Sequence, residues 1–257
     1  MCLLVVAWRS HARYRLVVAG NRDEFHERPT AALGWWNDAP DVVGGRDLRA
    51  GGTWLGLARS GRFGLVTNFR DASSAPATAP SRGQLVPGFL RGESPAAAFL
   101  RALQPSAGDY AGFNLLLGDA GELHYGCNVG DRAPRQLPPG IYGLSNHRLD
   151  EPWPKLVRTR ERFVAALAQP DPRPADLFDL LADPMPAEDA TPPDGGLPAA
   201  LERALSAPFV RHERYGTRSS TVVLVEHGGR TAVLERRFDA AGVQTGTTRI
   251  EFMGPGA

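Results

Sequence analysis

The sequence predicts an α+β fold in which two antiparallel β-sheets are layered with helices. Runs of β-forming residues joined by short turns occur at both ends of the chain, and helical patterns are grouped in the middle. The sequence lacks the alternation of strands and helices that builds a parallel sheet. With 257 residues, 42% hydrophobic and 22% charged, the chain has the composition of a globular protein. We therefore expect one domain over residues 1–257.

The first predicted element is a β-hairpin. Residues 2–8 and 14–19 are two apolar runs rich in β-forming residues, separated by a short polar connection. The polar stretch Gly-Asn-Arg-Asp-Glu at 20–24 comes directly after the second run, so we expect it to lie beyond the end of the strand. Polar residues at strand ends are frequent positions for functional sites.

The remaining elements follow from the same patterns. Turn residues between β-forming runs predict three more hairpins, and apolar residues at helical spacing predict the helices. The second helix is expected to begin with Ser94 as N-cap and Pro95 at its first position. The hairpins are 53–58 with 62–69, 113–117 with 122–127, and 221–226 with 231–237; single strands are 141–144 and 247–252; helices are 84–90, 96–103, 154–168 and 175–182; residues 72–80 form a loop and 169–199 a surface segment.

Composition excludes several classes of function. The net charge is +1 and no basic cluster is present, so nucleic-acid binding is not expected. Two cysteines make no disulfide framework, and the six histidines lack the spacing of metal ligands, so we predict no metal and no cofactor. A signal sequence and a membrane-spanning run are not found. These features predict a cytoplasmic protein; the oligomeric state is left open.

Cys2 is the strongest candidate for a catalytic residue. Removal of Met1 makes Cys2 the N-terminal residue, which then carries a thiol and an α-amine together. The amine titrates at about 7.7–8.0 and acts as general base for the thiol. The alternative is that Cys2 is a small buried hydrophobic residue opening an apolar strand. For Cys127, which follows a strand, the structural role is favoured.

Polar residues at other strand ends support a site near Cys2. Asn68 and Asn146 each end a predicted strand, and asparagine amides stabilise an oxyanion in acyl transfer. Arg218 precedes a strand. Each residue also has an ordinary role in turns, caps or a solvated surface.

The chain resembles the NRDE-motif family, which is named for residues 21–24 and includes the animal transport-and-Golgi-organisation protein. The resemblance covers nearly the whole chain. It rests on ordered motifs at residues 1–2, 19–25, 28–29, 44–47, 51–56, 66–71, 81–83, 143–146, 152–155 and 216–220.

This resemblance implies the four-layer αββα sandwich of the N-terminal-nucleophile hydrolases. The chain is more distantly similar to bile-salt and penicillin V acylases and to acid ceramidase, in which an N-terminal Cys, two Asn and a late Arg form the site. Here Cys2, Asn68, Asn146 and Arg218 can take those places. Arg22 lies one position later than the corresponding arginine, so Asp23 and Glu24 both remain candidates for the acid.

Two functions follow as hypotheses. In the first, Cys2 cleaves a small-molecule amide or acyl thioester through an acyl-enzyme, as in the cholylglycine and penicillin V acylases. In the second, the same cleft carries haem or a lipid-like ligand such as acyl-CoA without catalysis, with His26 or His147 as potential iron ligands. In either case we predict that substrate-binding residues are Asn21, Trp54, Phe69 and His147.

Overall fold

The structure is a computed structural model that describes residues 2–70, 78–131, 133–187 and 199–256. Its strands are β1 Cys2–Trp8, β2 Tyr14–Phe25, β3 Thr30–Trp36, β4 Ala39–Asp47, β5 Leu55–Ala58, β6 Phe63–Asn68, β7 Phe113–Gly118, β8 Leu123–Cys127, β9 Arg135–Gln136, β10 Gly140–Leu144, β11 Tyr215–Glu226, β12 Arg230–Phe238 and β13 Gln244–Met253. Its α-helices are α1 Leu85–Leu90, α2 Ala96–Leu103, α3 Pro154–Leu167, α4 Pro174–Leu181 and α5 Ala199–Leu205.

The strands form two antiparallel sheets, which confirms the predicted α+β class. The chain divides into two compact units, and each unit combines separate stretches of sequence. The first comprises Met1–Glu27, Pro139–His227 and Thr231–Glu251; the second comprises Arg28–Pro138, Gly228–Arg230 and Phe252–Ala257. The single domain over residues 1–257 stays a prediction.

The first unit contains a six-stranded sheet in the order β10-β1-β2-β11-β12-β13. Side chains alternate between the two faces of a strand, so every second residue of β1 points to the same side. Leu3, Val5 and Ala7 form a core cluster with α3 and α4. Cys2 has the opposite parity, so its side chain lies on the face of the sheet that does not carry these helices.

The second unit contains a seven-stranded sheet in the order β3-β4-β5-β6-β7-β8-β9. The helices α1 and α2 contribute Phe89 and Leu100 to a core cluster with apolar residues of β6 and β7. In both units, helices cover one sheet. Most strands that are neighbours in these sheets are also consecutive in sequence. Burial of these apolar faces is the main favourable contribution to folding.

Several sequence predictions need correction. Strand β2 extends through residues 20–24, so the polar stretch lies inside the strand and not beyond its end. Likewise, β11 begins at Tyr215 and includes Arg218. Hydrogen bonding to neighbouring strands keeps these polar residues extended. The β-propensity of a single segment does not show which strands will pair with it.

Four elements, β3, β4, β9 and α5, are not among the predicted ones. Gly44 and Gly45 are of a residue type common in turns, but in the structure they lie within β4. Helix α2 has its predicted bounds, but its N-cap is Pro95 and not Ser94. The predicted loop at 72–80 and the surface segment at 169–199 lie partly outside the described residues.

No helix in the described part of the chain combines the length and apolar character that a membrane crossing requires.

Candidate active site

Cys2 lies in a row of residues that crosses three strands. It pairs with Arg22 of β2, and Arg22 pairs on its other side with Ser219 of β11. Directly opposed residues of antiparallel strands share a face of the sheet. The side chains of Cys2, Arg22 and Ser219 therefore lie side by side, and each is less than a tenth exposed.

A break in the strand register places Arg218 next to this row. Thr217 pairs with Asp23 and Ser219 pairs with Arg22, which leaves Arg218 as an extra residue of β11. Such a bulge redirects a side chain and is frequent beside active sites. The guanidinium donates to the carbonyl oxygens of Phe25 and His26, at 3.0 and 2.9 Å. Burial and then the charge of Arg22 lower the pKa of Arg218, so the two guanidinium groups are neighbours.

Asn146 binds the backbone of Cys2. The N–H of Cys2 donates to Oδ1 of Asn146 at 2.7 Å, and both residues are buried. Asn146 has a φ of 59°, in the left-handed region that asparagine adopts more readily than most residues. The turn after β10 thus uses an unusual backbone conformation to place an amide oxygen against the first described residue.

Asp23 is a buried carboxylate on the other face of β2. Its Oδ1 accepts a hydrogen bond of 2.7 Å from Thr217 Oγ1, and its carbonyl oxygen accepts one of 2.6 Å from the hydroxyl of Tyr215. Burial raises the pKa of Asp23. The charges of Lys155 and Arg22 and the bond from Thr217 act in the opposite direction and lower this pKa.

Glu24 differs from Asp23 in its surroundings. Its Oε2 lies 3.6 Å from the Arg22 guanidinium, and its Oε1 accepts from the backbone N–H of Phe25 at 2.9 Å. Its side chain is more exposed than that of Asp23, at 23%. Glu24 is placed to hold Arg22, whereas Asp23 lies deeper and acts on Cys2.

The electrostatics of the Cys2 thiol combine opposing effects. Burial raises the pKa of this thiol, and the negative charge of Asp23 raises it further. A hydrogen bond from the backbone of Asp23 and the positive charge of Arg22 lower the pKa. Since the thiolate is the reactive form, Arg22 favours nucleophilic attack and the Asp23 carboxylate disfavours it.

Asn21, predicted to bind substrate, has a structural role. It is fully buried, and its amide nitrogen donates to the carbonyl oxygens of Leu181 and Pro208 at 2.8 and 2.9 Å. Its Oδ1 accepts from Ser220 Oγ at 2.6 Å. The amide ties α4 and the 205–210 segment to the sheet, and a role of Asn21 in substrate binding stays a prediction.

His147 follows Asn146 in the first unit and is partly exposed. Its Nδ1 lies 3.6 Å from a carboxylate oxygen of Glu151, and its ring packs beside Trp153 at a centroid distance of 6.3 Å. His26, the other potential iron ligand, has Nε2 3.0 Å from the carbonyl oxygen of His212. The described residues contain no group of three or more His, Cys, Asp or Glu placed to hold a metal ion.

Three predicted residues belong to the second unit. Asn68 is the last residue of β6 and is exposed, as its position at a strand end predicts. Phe69 is buried, and its backbone N–H donates to Gly112 at 2.8 Å. Trp54 is partly buried and its carbonyl oxygen accepts from Val66 at 2.8 Å. The roles of these residues in substrate binding and catalysis stay predictions.

Lys155 and Thr217 contribute to the site although neither was among its predicted residues. Lys155 is 3% exposed, and its charge acts on Asp23. One sequence signal was available, because Lys155 is the only lysine in the chain and lies in the family motif at residues 152–155. Thr217 also lies in a family motif, at residues 216–220, but the motif does not show what its hydroxyl contacts. Its contact with Asp23 depends on the pairing of β11 with β2.

Two solved structures have a similar fold. One is a C-to-A variant of the conjugated bile acid hydrolase from Clostridium perfringens, with a TM-score of 0.54 at 8% identity, covering 98% of this chain and 92% of that one. The other is the N-acylethanolamine-hydrolyzing acid amidase orthologue of Caenorhabditis elegans, with a TM-score of 0.50 at 10% identity, covering 87% and 92%. The fold is that of the N-terminal-nucleophile hydrolases.

Sequence relatives identify the family. The mouse Transport and Golgi organization 2 homolog is 35% identical over 240 residues, which cover 87% of this chain and 86% of that protein. The human homolog is 34% identical with the same coverage, and the Drosophila melanogaster protein is 27% identical over 91% of each chain. The family model described as Transport and Golgi organisation 2 matches residues 1–240. The chain therefore belongs to the Transport and Golgi organisation 2 family.

Proposed function

We propose that this protein is an N-terminal cysteine hydrolase that cleaves a small-molecule amide, or an acyl thioester, through an acyl-enzyme on Cys2. The observation that carries the proposal is the 2.7 Å hydrogen bond from the N–H of Cys2 to Asn146 Oδ1. Once Met1 is removed, the same nitrogen is the α-amine, and Asn146 already accepts one of its protons. The base that a cysteine nucleophile needs is then held beside the thiol.

The reaction begins with the amine in its neutral form. The Cys2 thiol transfers its proton to the α-amine while Sγ bonds to the carbonyl carbon of the substrate, and the carbonyl π electrons move onto oxygen. The tetrahedral intermediate collapses as the bond to the leaving nitrogen breaks, and that nitrogen takes the proton from the α-ammonium. The acyl group remains on Cys2 as a thioester.

Water completes the cycle by the same path. The α-amine removes a proton from water as the hydroxyl oxygen bonds to the thioester carbonyl carbon. The carbon–sulfur bond then breaks, the sulfur takes the proton back, and the carboxylic acid leaves. Every proton moves between Cys2, water and substrate, so no separate histidine base is needed.

The neighbouring charges have separate tasks in this scheme. Arg22 stabilises the thiolate, Glu24 holds Arg22, and Asp23 is the acid that orients the α-ammonium. Arg218 is the second cation next to Arg22. It is proposed to bind the substrate. An amide N–H from Asn146 would donate to the oxyanion. A role for Asn68 stays a prediction from the sequence alone. Both cysteines are thiols. We retain the cytoplasm as the predicted location.

Three variants test the nucleophile: Cys2→Ala, Cys2→Ser and a form that retains Met1. All three variants should lose turnover of a panel of acyl p-nitroanilides and acyl-CoA thioesters. The Cys2→Ser variant should keep at most a trace. Blocking the amine removes a base worth roughly 10²–10⁴-fold in rate. Intact mass establishes the N-terminus of each preparation, and Cys127→Ala is the matched control that should keep full activity.

A carrier function is the second candidate, and two observations favour it. The relatives are named for transport and Golgi organisation, and burial raises the pKa of the Cys2 thiol. A carrier of haem or of an acyl-CoA-like ligand has no need of a free amine. If the form that retains Met1 and the Cys2→Ala variant bind haem or acyl-CoA as well as the wild type, and no preparation turns over any substrate, the carrier function replaces the hydrolase.

A further inference from the structure

The edge strands of the two sheets differ in how well they are protected from pairing with another chain. Natural proteins shield an edge strand by making it short, by irregular pairing, by proline or by charge. β9 has two residues, and β10 has five, with Pro138 and Pro139 directly before it. β3 pairs with β4 through two breaks in register. These three edges are therefore poor templates for a further strand.

β13 is the remaining edge strand, and it lacks this protection. It has ten residues and contains neither proline nor lysine. Five of the ten are threonine, isoleucine or phenylalanine, which favour strands. β12 pairs with one side of β13, and within the described residues no strand pairs with its other side. A long, regular edge of this kind is a template for the addition of another strand.

Contacts with β12 hold β13 in its extended form. Arg237 of β12 donates from Nη1 to Thr248 Oγ1 at 2.8 Å. The same guanidinium lies over Gly246, where it leaves no room for a Cβ. Just beyond the strand, the N–H of Gly254 donates to the carbonyl oxygen of Gly229 at 2.9 Å. Because β13 is already ordered, an added strand meets a preformed edge, and the pairing costs less conformational entropy.

The exposed side chains of β13 carry charges that are complementary to a second copy of the same strand. Arg249 and Glu251 are both exposed, and they lie on the same face because they are two positions apart. Within one chain, Nε of Arg249 donates to Oε1 of Glu251 at 2.8 Å. In an antiparallel pair with a two-fold axis at Ile250, Arg249 of each copy is directly opposite Glu251 of the other. Opposite charges then face each other at both positions, whereas an edge with charges of one sign would repel its copy.

We propose that β13 is a dimerisation edge, to which a second copy of this chain adds its own β13 in the antiparallel orientation. The two six-stranded sheets then form one continuous sheet. Arg249 and Glu251 set the register, and Ile250 faces its own copy at the two-fold axis. An interface confined to one strand of each copy is smaller than the standard size of about 800 Å² per partner, so the dimer is reversible.

The proposal is independent of the proposed function. It also concerns this chain and not its family, because β13 lies beyond residues 1–240, which match the family model.

Sedimentation velocity of the full-length protein over a range of concentrations tests the proposal. The wild type should change reversibly from monomer to dimer as its concentration rises. Arg249→Glu and Glu251→Arg each place like charges opposite one another at both contacts, and each should weaken the dimer about tenfold or more. Arg101→Glu makes the same change of charge at an exposed position of α2. This matched control should dimerise as the wild type does.

A charge swap separates a specific contact from a general effect of charge. The double variant Arg249→Glu/Glu251→Arg should recover the dimer, because opposite charges face each other again. A mixture of the two single variants should form a heterodimer, which a fluorescent label on one of them detects. Circular dichroism establishes that each variant is folded.

Three results overturn the proposal. The first is a wild type that is monomeric at every concentration. The second is a dimer that both single reversals leave intact, since another surface then forms it. The third is a dimer that the single reversals weaken and the double variant does not restore.

Discussion

The backbone N–H of Cys2 and the side-chain oxygen of Asn146 are joined by a 2.7 Å hydrogen bond, although 144 positions separate the two residues in the chain. Strand β10 pairs with β1 and ends at Leu144, which brings the following turn to the start of β1. The same contact anchors the first strand and, in the proposed function, holds the nitrogen that becomes the α-amine.

Asn146→Gly is expected to weaken this anchor. Glycine adopts the φ of 59° without strain, so the variant removes the amide and keeps the backbone. Leaving the buried N–H of Cys2 without its acceptor should lower the free energy of unfolding by about 1–3 kcal/mol. Urea denaturation of the variant and the wild type measures this difference in the free energy of unfolding. Asn146→Ala should be less stable than Asn146→Gly by about 1–2 kcal/mol, because the left-handed conformation is unfavourable for alanine. Equal stabilities of the two variants would contradict this account of the turn.

Two charge substitutions should change the reactivity of Cys2 in opposite directions. Arg22→Gln removes a charge that lowers the pKa of the thiol, and Asp23→Asn removes one that raises it. Iodoacetamide labelling at a fixed neutral pH should therefore be slower in Arg22→Gln and faster in Asp23→Asn. Each unit of thiol pKa changes the thiolate fraction about tenfold.

Mass spectrometry of Cys2, with Cys127 as the reference in the same molecule, gives these rates. The N-terminal state of each preparation has to match. Since burial raises the thiol pKa, labelling of Cys2 should increase with pH through the neutral range in all three proteins. The same direction of change in both variants would show that the substitutions act on access to the thiol and not on its charge.

Asn21→Ala should destabilise the protein without acting on substrate binding. The buried amide donates to Leu181 and Pro208 and accepts from Ser220. Its removal leaves buried partners unsatisfied and should cost at least about 2 kcal/mol in the free energy of unfolding. Ser220→Ala loses one of these bonds and should cost less, about 1 kcal/mol. Under conditions where both variants are folded, KM should equal that of the wild type; a raised KM for Asn21→Ala alone restores its predicted role in binding.

Gly52→Ala tests a close backbone approach in the second unit. A Cβ at this position would lie 2.2 Å from the carbonyl oxygen of Gly83, and that oxygen accepts from the N–H of Thr53 at 3.0 Å. Relief of the clash separates the two segments, so we expect a loss of about 2 kcal/mol or more. Gly228→Ala is the matched control, since a Cβ there meets nothing within 4 Å. Thermal unfolding of the two variants should differ clearly in midpoint.

The sequence by itself determined the secondary structure of the paired strands and the position of Cys2. Residues 2–8 and 14–19 are β-forming runs with a short connection, and hairpins of this kind depend on local preferences and on contacts between neighbours in sequence. The fold class followed from the order of strands and helices. The ordered motifs, which need no structure to be seen, identified the family.

Only the tertiary structure decided what the individual polar residues do. Asn21 and Arg22 are adjacent in sequence, yet alternation along β2 turns Asn21 towards α4 and Arg22 towards Cys2. The bulge at Arg218, the bond from Cys2 to Asn146 and the burial of Lys155 all depend on pairing and packing between distant segments. The register of a strand determines the face of the sheet on which a side chain lies, and the surrounding residues determine its charge state. Both depend on contacts between segments that are distant in sequence, which a local pattern of residues does not show.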